Sequence, residues 1–367
     1  MIYLDYQATT PLAPEARAAM LPWLAGPDDP RFANPHSPHR HGRAAAAAVE
    51  VARAQVAGLF PPGGQVIFTG SATEALNLAI MGSGMGSGIG SGARRLAVSA
   101  IEHAAVLDTA RFVDPAVAIL PVDGAGLVDP AVAIPDGTGL VAVMQVNNEI
   151  GTVQPVAELA RRARDCGALF VCDAVQAAGK LALPEEADMI AVSAHKLYGP
   201  KGIGALWVRD GVKLQPLIHG GGQEGGLRSG TLSPALCAGF GVAAALCAAL
   251  REKDAQHVEK LWTRARALFA DWTLNGSEQA RWRGNLNLRR DGLDVARLMS
   301  ECRNVAFSAG SACASGSGRP SHVLRALGLS DTIAKTAVRL GFGRYTTEDE
   351  LVEAAAAINA AARSQGV

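Results

Sequence analysis

Residues 189–202 read MIAVSAHKLYGPKG. The first five are apolar or small and carry no charge, so they read as a strand buried on both faces. Lys196 stands just past the end of that strand, ahead of a turn built from Gly199, Pro200 and Gly202. Burying an ammonium group there is costly. An amine held in such a place has a depressed pKa and suits a Schiff-base nucleophile. On this stretch alone, a surface lysine in a Gly/Pro turn is an equal alternative.

Working outward, short β-branched runs at 65–69, 95–99, 117–121, 140–146, 169–173 and 205–208 alternate with segments of helical spacing. One of these, 156–166, has Arg161, Arg162 and Arg164 on its polar side. Strand–helix alternation predicts an α/β fold, a mainly parallel sheet covered by helices. Ligands of such sheets sit at the carboxyl ends of the strands, so the residues after each strand carry the functional reading. The run 169–173 closes on Asp173, which reads alone as the N-cap of a following helix. Paired with Lys196 it changes meaning, because enzymes that use pyridoxal 5'-phosphate (PLP) need a lysine for the aldehyde and an acid at the pyridine nitrogen. After 65–69 come Gly70 and Ser71 at a helix start, with Glu74 three residues on. This is a capping box that also offers free N–H groups to a phosphate. His103 follows the strand at 95–99 and could stack on a cofactor ring, although a lone histidine is more often structural.

Past Pro234 the pattern changes. An Ala/Leu-rich stretch runs to about Trp272 and suits a long helix linking two domains. Short strands at 285–288 and 305–308, a Gly/Ser loop at 309–318 and helices near 320–328 and 347–363 follow. The most apolar run, 234–250, is Ala-rich and short for a membrane span, and reads as a core helix. The start of the chain has no basic and apolar leader, which points to the cytoplasm. Cys166, Cys172, Cys237 and Cys247 lie in apolar surroundings and read as core residues. Cys313 lies among small residues in a loop where a mobile, exposed thiol could act as a nucleophile. No CxxC pair occurs, so no structural metal is expected. The low-complexity stretch 82–92, GSGMGSGIGSG, reads as a flexible surface loop. The 367 residues are 49% hydrophobic and 19% charged, enough for a large core, and the 34 basic residues balance the 34 acidic ones. That balance argues against nucleic acid as the main partner.

Nine motifs in order then carry a family likeness: Tyr3-Leu4-Asp5-Tyr6-Gln7-Ala8-Thr9-Thr10-Pro11, Asn34-Pro35-His36-Ser37, Gly70-Ser71-Ala72-Thr73-Glu74, Glu102-His103, Asn147-Asn148-Glu149-Ile150-Gly151, Asp173-Ala174-Val175-Gln176, Ser193-Ala194-His195-Lys196, Arg228-Ser229-Gly230-Thr231 and the loop around Cys313. The chain resembles the cysteine desulfurases, PLP enzymes of the class V aminotransferase group. SAGSACASG resembles the long-loop subgroup that serves iron–sulfur and nitrogenase cluster assembly.

The resemblance implies PLP-dependent transferase fold type I. A large domain over 15–255 would hold a mainly parallel seven-stranded sheet, and a smaller α+β domain would comprise 1–14 and 256–367. It implies a homodimer that converts L-cysteine to L-alanine, leaves the sulfur as a persulfide on Cys313 and passes it to an acceptor protein. Lys196 would be the Schiff-base lysine and the base at the substrate α-carbon. Asp173 would pair the pyridine nitrogen, His103 would stack on the ring and Gln176 would bond its hydroxyl. Ala72, Thr73, Ser193 and His195 would bind the phosphate, with Thr231 reaching in from the partner subunit. Asn148 and Arg339 would hold the substrate carboxylate. A selenocysteine lyase or another class V member is the alternative. Gly225 stands where the family commonly has arginine, and the chain ends short of the tail that housekeeping members use toward a scaffold, so the acceptor stays open.

Overall fold

The computed structural model describes residues 1–84, 95–310 and 320–367. In chain order the strands and helices begin with β1 (Ile2–Tyr3), α1 (Pro14–Met20), α2 (Arg40–Ala57), β2 (Gly64–Thr69), α3 (Ala72–Gly84), β3 (Arg95–Ser99), α4 (Ala104–Val113) and β4 (Ala118–Leu120). Then come β5 (Thr138–Ala142), α5 (Val156–Asp165), β6 (Leu169–Asp173), β7 (Met189–Ser193), β8 (Gly204–Arg209) and the long α6 (Pro234–Leu268). The last third holds β9 (Thr273–Leu274), β10 (Asn285–Arg289), α7 (Val295–Glu301), β11 (Val305–Ala306), β12 (Ser308–Ala309), α8 (His322–Ala326), α9 (Asp331–Ala334), β13 (Ala337–Gly341) and α10 (Glu348–Ser364).

The fold is α/β. Its main sheet has seven strands in the order β2-β8-β7-β6-β5-β3-β4, and β8 alone runs against the rest. All five residues of β7 are buried, as its uncharged sequence requires. Phe68, Phe170 and Trp207 pack the core on one face of the sheet, and Ile67, Val171 and Val208 pack a second core on the other. A second sheet, β12-β13-β10-β9, is antiparallel, and β1 pairs in parallel with β11.

Several expectations shift. The run 140–146 is buried throughout, but the strand covers Thr138–Ala142. Beyond it, Gln145 still donates its main-chain N–H to Asp173 O (2.9 Å) as the chain turns toward the site. The run 305–308 splits, β11 joining β1 and β12 joining β13. Residues 82–84, expected in a loop, close α3, and the rest of 82–92 lies outside the described residues. Cys166 is exposed at the end of α5, where the helix presents its polar side, instead of lying in the core. Helix α6 is long and apolar enough to cross a membrane by length and composition. Here its apolar first half packs on α1 and α2, with Cys237, Phe240 and Cys247 buried.

Candidate active site

The carboxyl ends of β2, β3, β6 and β7 open on a cavity of about 360 Å³. The start of the chain and β13 close its other side. It gathers Ala72 and Thr73 from the start of α3, His103 after β3, Asp173 and Gln176 after β6, and Ser193, His195 and Lys196 after β7. Asn148 and Arg339 complete its wall.

Lys196 ends a single turn of 3-10 helix that follows β7 directly. Its Nζ donates to the main-chain oxygens of Ala8 (2.8 Å) and Gln7. These carbonyls replace the water that the half-buried amine gave up. The neighbouring His195 ring shares a hydrogen bond with Thr9 Oγ1 (3.1 Å). Burial, aided by the charges of Lys196, Lys201 and Lys180, pushes His195 down to about 4, so it is neutral near pH 7.

Asp173 is buried, and its Oδ1 accepts the N–H of Val175 (2.9 Å) in a local turn, with no helix following. Burial raises its pKa, opposed by that hydrogen bond and by His103 and Lys196. A cation facing this carboxyl would favour its charged form further. Gln176 donates to Gln7 O (3.0 Å), while its buried Oε1 has no partner among the described residues. His103 caps α4, its Nδ1 accepting the Ala105 N–H (3.1 Å), which puts the proton of a neutral ring on Nε2.

The N-terminus of α3 is built to approach something closely. Gly204 of β8 lies beneath it, and a Cβ there would come within 2.6 Å of Ser71 C and 2.7 Å of Ala72 N. Ser71 Oγ accepts the Glu74 N–H (3.2 Å) as a cap. The reciprocal half of the expected box lands one residue earlier, because Glu74 takes the Gly70 N–H (2.7 Å) and an ion pair with Arg228 (2.7 Å). The helix start is thus left to an anion.

Arg339 is fully buried on β13. It pairs with Asp5 (2.8 Å) and donates to Asn148 O (3.1 Å) and Ser308 Oγ (3.3 Å). Its Nε lacks a partner among the described residues. A guanidinium so held is preset for a carboxylate.

Two sequence candidates do not meet in this cavity. Thr231 is exposed and outside its lining, and Cys313 lies outside the described residues. Sequence reasoning assigned no role to Asp5, Gln7, Lys180, Glu102 or Glu149. Lys180 donates to Gln176 O (3.0 Å), and burial pushes it down to about 7. Glu102 accepts from Ser99 Oγ (2.5 Å) and Met144 N (2.8 Å), and burial pushes it up to about 8. The signal for Glu102 and Glu149 was available, since each stands in a quoted motif a few residues past an apolar run.

This is the arrangement of a PLP-dependent transferase, and the chain belongs to the class V aminotransferase family, whose model matches residues 2–353. Within it the relatives are cysteine desulfurases. The chain is 42% identical to "Cysteine desulfurase IscS" of Rickettsia akari (strain Hartford), over 95% of this chain and 88% of that one. Among solved structures it superposes on a "NIFS-LIKE PROTEIN" with a TM-score of 0.87 at 29% identity, covering 98% of both chains. It also superposes on "SspA in complex with cysteine" with a TM-score of 0.80 at 35% identity, covering 95% of this chain and all of the other.

Proposed function

We propose that this protein is a PLP-dependent cysteine desulfurase that converts L-cysteine to L-alanine and leaves the sulfur as a persulfide on Cys313. The observation that carries the reading is the meeting of Lys196, Asp173 and the start of α3 at adjoining strand ends, across from Arg339. The buried Gln176 Oε1, without a partner among the described residues, suits a ring hydroxyl, and the start of α3, seated closely on Gly204 and lining the cavity with Ser71, Ala72 and Thr73, suits a phosphate. When bound, the cofactor supplies an electron sink for the charge that develops at the substrate α-carbon.

The residues do the rest. Lys196 Nζ would hold the cofactor's aldehyde and would serve as the base that takes the substrate α-proton and returns a proton to the alanine carbon. Ala72, Thr73, Ser193 and His195 hold the phosphate, and neutral His195 does so as a hydrogen-bond partner. Asp173 would pair with the pyridine nitrogen and favour its protonated form, and His103 would stack on the ring. Asn148 and Arg339 orient the carboxylate. The Cys313 thiolate attacks the substrate sulfur, so one S–S bond forms and one C–S bond breaks. L-Cysteine and the thiol become L-alanine and the persulfide, with no outside oxidant.

The chain works as a homodimer, with exposed Thr231 reaching the partner's phosphate site. It acts in the cytoplasm and hands sulfur to an acceptor protein for iron–sulfur cluster assembly. Its two domains comprise 15–255, and 1–14 with 256–367. The purified protein should be yellow, and borohydride should fix the cofactor to the Lys196 peptide. Cys313→Ala should keep the visible band and lose sulfide release from L-cysteine. A colourless protein that stays colourless with added PLP overturns the cofactor assignment, and full desulfurase activity in Cys313→Ala overturns the persulfide.

A further inference from the structure

Two stretches of chain meet around the base of Lys196. One is the 3-10 turn Ala194–Lys196 with Leu197 and Tyr198 after it, and the other is residues 5–13. The turn is held in an unfavourable shape. Tyr198 adopts a φ of 66°, where its own side chain crowds the main chain. Beside it the chain closes on itself, with the Leu197 N–H (3.0 Å) and the Gly199 N–H (2.9 Å) both donating to Ala194 O. A Cβ on Gly199 would meet Ala194 O at 2.9 Å, so the turn is as tight as a side chain allows.

Thr10 spans this turn. Its N–H and its Oγ1 both donate to His195 O (2.9 Å each), and the same Oγ1 accepts the Tyr198 N–H (2.7 Å). One hydroxyl thus grips the main chain on either side of Lys196, with its proton in one bond and a lone pair in the other. The Ala13 N–H donates to Tyr198 O (2.9 Å), so both polar groups of the Tyr198 main chain are bound by this segment. Thr10 and Tyr198 are buried, which makes a lost partner costly. The same segment meets the tip of Lys196 through Gln7 O and Ala8 O. Its own place is set by Asp5 O, which takes the Ala8 N–H (2.9 Å), and by Gln7 Nε2 donating to Gly284 O (2.8 Å). Base and tip of the lysine are therefore held by one piece of chain, while Thr10 stands outside the cavity lining.

We propose that Thr10 is a positioning residue for Lys196. Its hydroxyl bridges His195 O and the Tyr198 N–H and so aims the amine into the cavity before anything is bound there. The inference rests on the reading of Lys196 as the amine that holds PLP. Amine and aldehyde must meet in a defined geometry, and a misplacement of about 1 Å costs about 100-fold in rate. Thr10 acts through main-chain atoms alone, so it changes neither the charge nor the walls of the site.

The test reads how fast the full-length protein takes up PLP. Cofactor is removed with hydroxylamine and dialysis, and PLP is added well below the melting temperature of every variant. Growth of the visible band follows the condensation of the Lys196 amine with the aldehyde, which releases one water. Borohydride and mass spectrometry then identify the modified residue. Thr10→Val keeps the shape, loses both hydroxyl bonds and should colour at least about tenfold more slowly. Thr10→Ala serves the same comparison where Thr10→Val does not fold. Thr10→Ser keeps the hydroxyl and should stay within about twofold of the unmodified protein. Asp294→Ala removes the cap that accepts the Arg297 N–H (3.0 Å) at the start of α7, and should lower the melting temperature while leaving the rate unchanged. Colouring of Thr10→Val or Thr10→Ala at the unmodified rate overturns the proposal. Equal slowing in Thr10→Ser or Asp294→Ala also overturns it, since the effect would then be one of packing or of stability. An unmodified protein that takes up no PLP at Lys196 overturns the reading of Lys196 instead.

Discussion

Glu102 shows how a residue's surroundings fix its charge. It sits against Ser99, Met144 and the charge of Asp173, and burial lifts its pKa from 4.5 to about 8. The folded protein therefore keeps a proton that the unfolded chain loses at lower pH. The neutral carboxyl is tolerated below about pH 4.5, and stability falls as pH rises from there to about 8. The loss is on the order of 1 kcal/mol per pH unit, a few kcal/mol in all. Glu102→Gln stays neutral, so its melting temperature should fall less than that of the unmodified protein between about pH 5 and 8. Parallel melting curves would show that the carboxyl is not protonated in the fold. His195 works in the opposite direction. Its depressed pKa removes stability as pH falls from 6.5 toward about 4, because the unfolded ring takes up a proton that the folded one refuses. The residues read from sequence were those at strand ends, where polar groups interrupt apolar runs. Asp5 escaped because its partner Arg339 is 334 residues away. Gln7 escaped because it acts through its main-chain oxygen, which any side chain would have provided.

Among the elements, β3, β6 and β7 were legible to the residue, since each is a run of five with at least its last four residues buried, bounded by a change in polarity. Strands β1, β9 and β12 have two residues each, too few for any periodicity to show. Helix α2 was missed because five alanines in a row give little contrast between its faces, although Ala45, Val49, Ala52 and Val56 line its buried side. Helix α3 was read correctly as a helix, and its start matters most. It rests on β8 at Gly204, where a methyl group would collide with the main chain of Ser71, Ala72 and Val192 at 2.6–2.8 Å. Gly204→Ala should push the helix start away from β8. Cofactor should then wash out on dialysis at least about tenfold faster, and stability should drop by about 1–3 kcal/mol. Retention equal to that of the unmodified enzyme would mean that the close seating of α3 on β8 is not needed for binding.

At the scale of the whole molecule, α6 continues unbroken across residues 255 and 256, so the two proposed domains share a single rod. That rod is fastened near Lys196. Asp254 pairs with Arg344 (2.7 Å), and the Arg344 guanidinium lies 4.2 Å from the ring centre of Tyr198, whose backbone adopts a positive φ of 66°. Such a conformation is unfavourable for tyrosine and persists only because its surroundings impose it. The pairing of β1 with β11 has a consequence for how the protein is made. Ile2 waits for Val305, and Lys196 depends on the carbonyls of residues 7 and 8 that this strand pairing leads into. At ordinary rates of synthesis the first strand emerges about 15–60 s before its mate exists. Nascent chains stalled short of residue 305 should therefore stay colourless in excess PLP, while released full-length chains colour at once. Coloured stalled chains would show that the amino end is dispensable. A product truncated short of residue 305 thus cannot sequester vitamin B6 that finished enzyme needs.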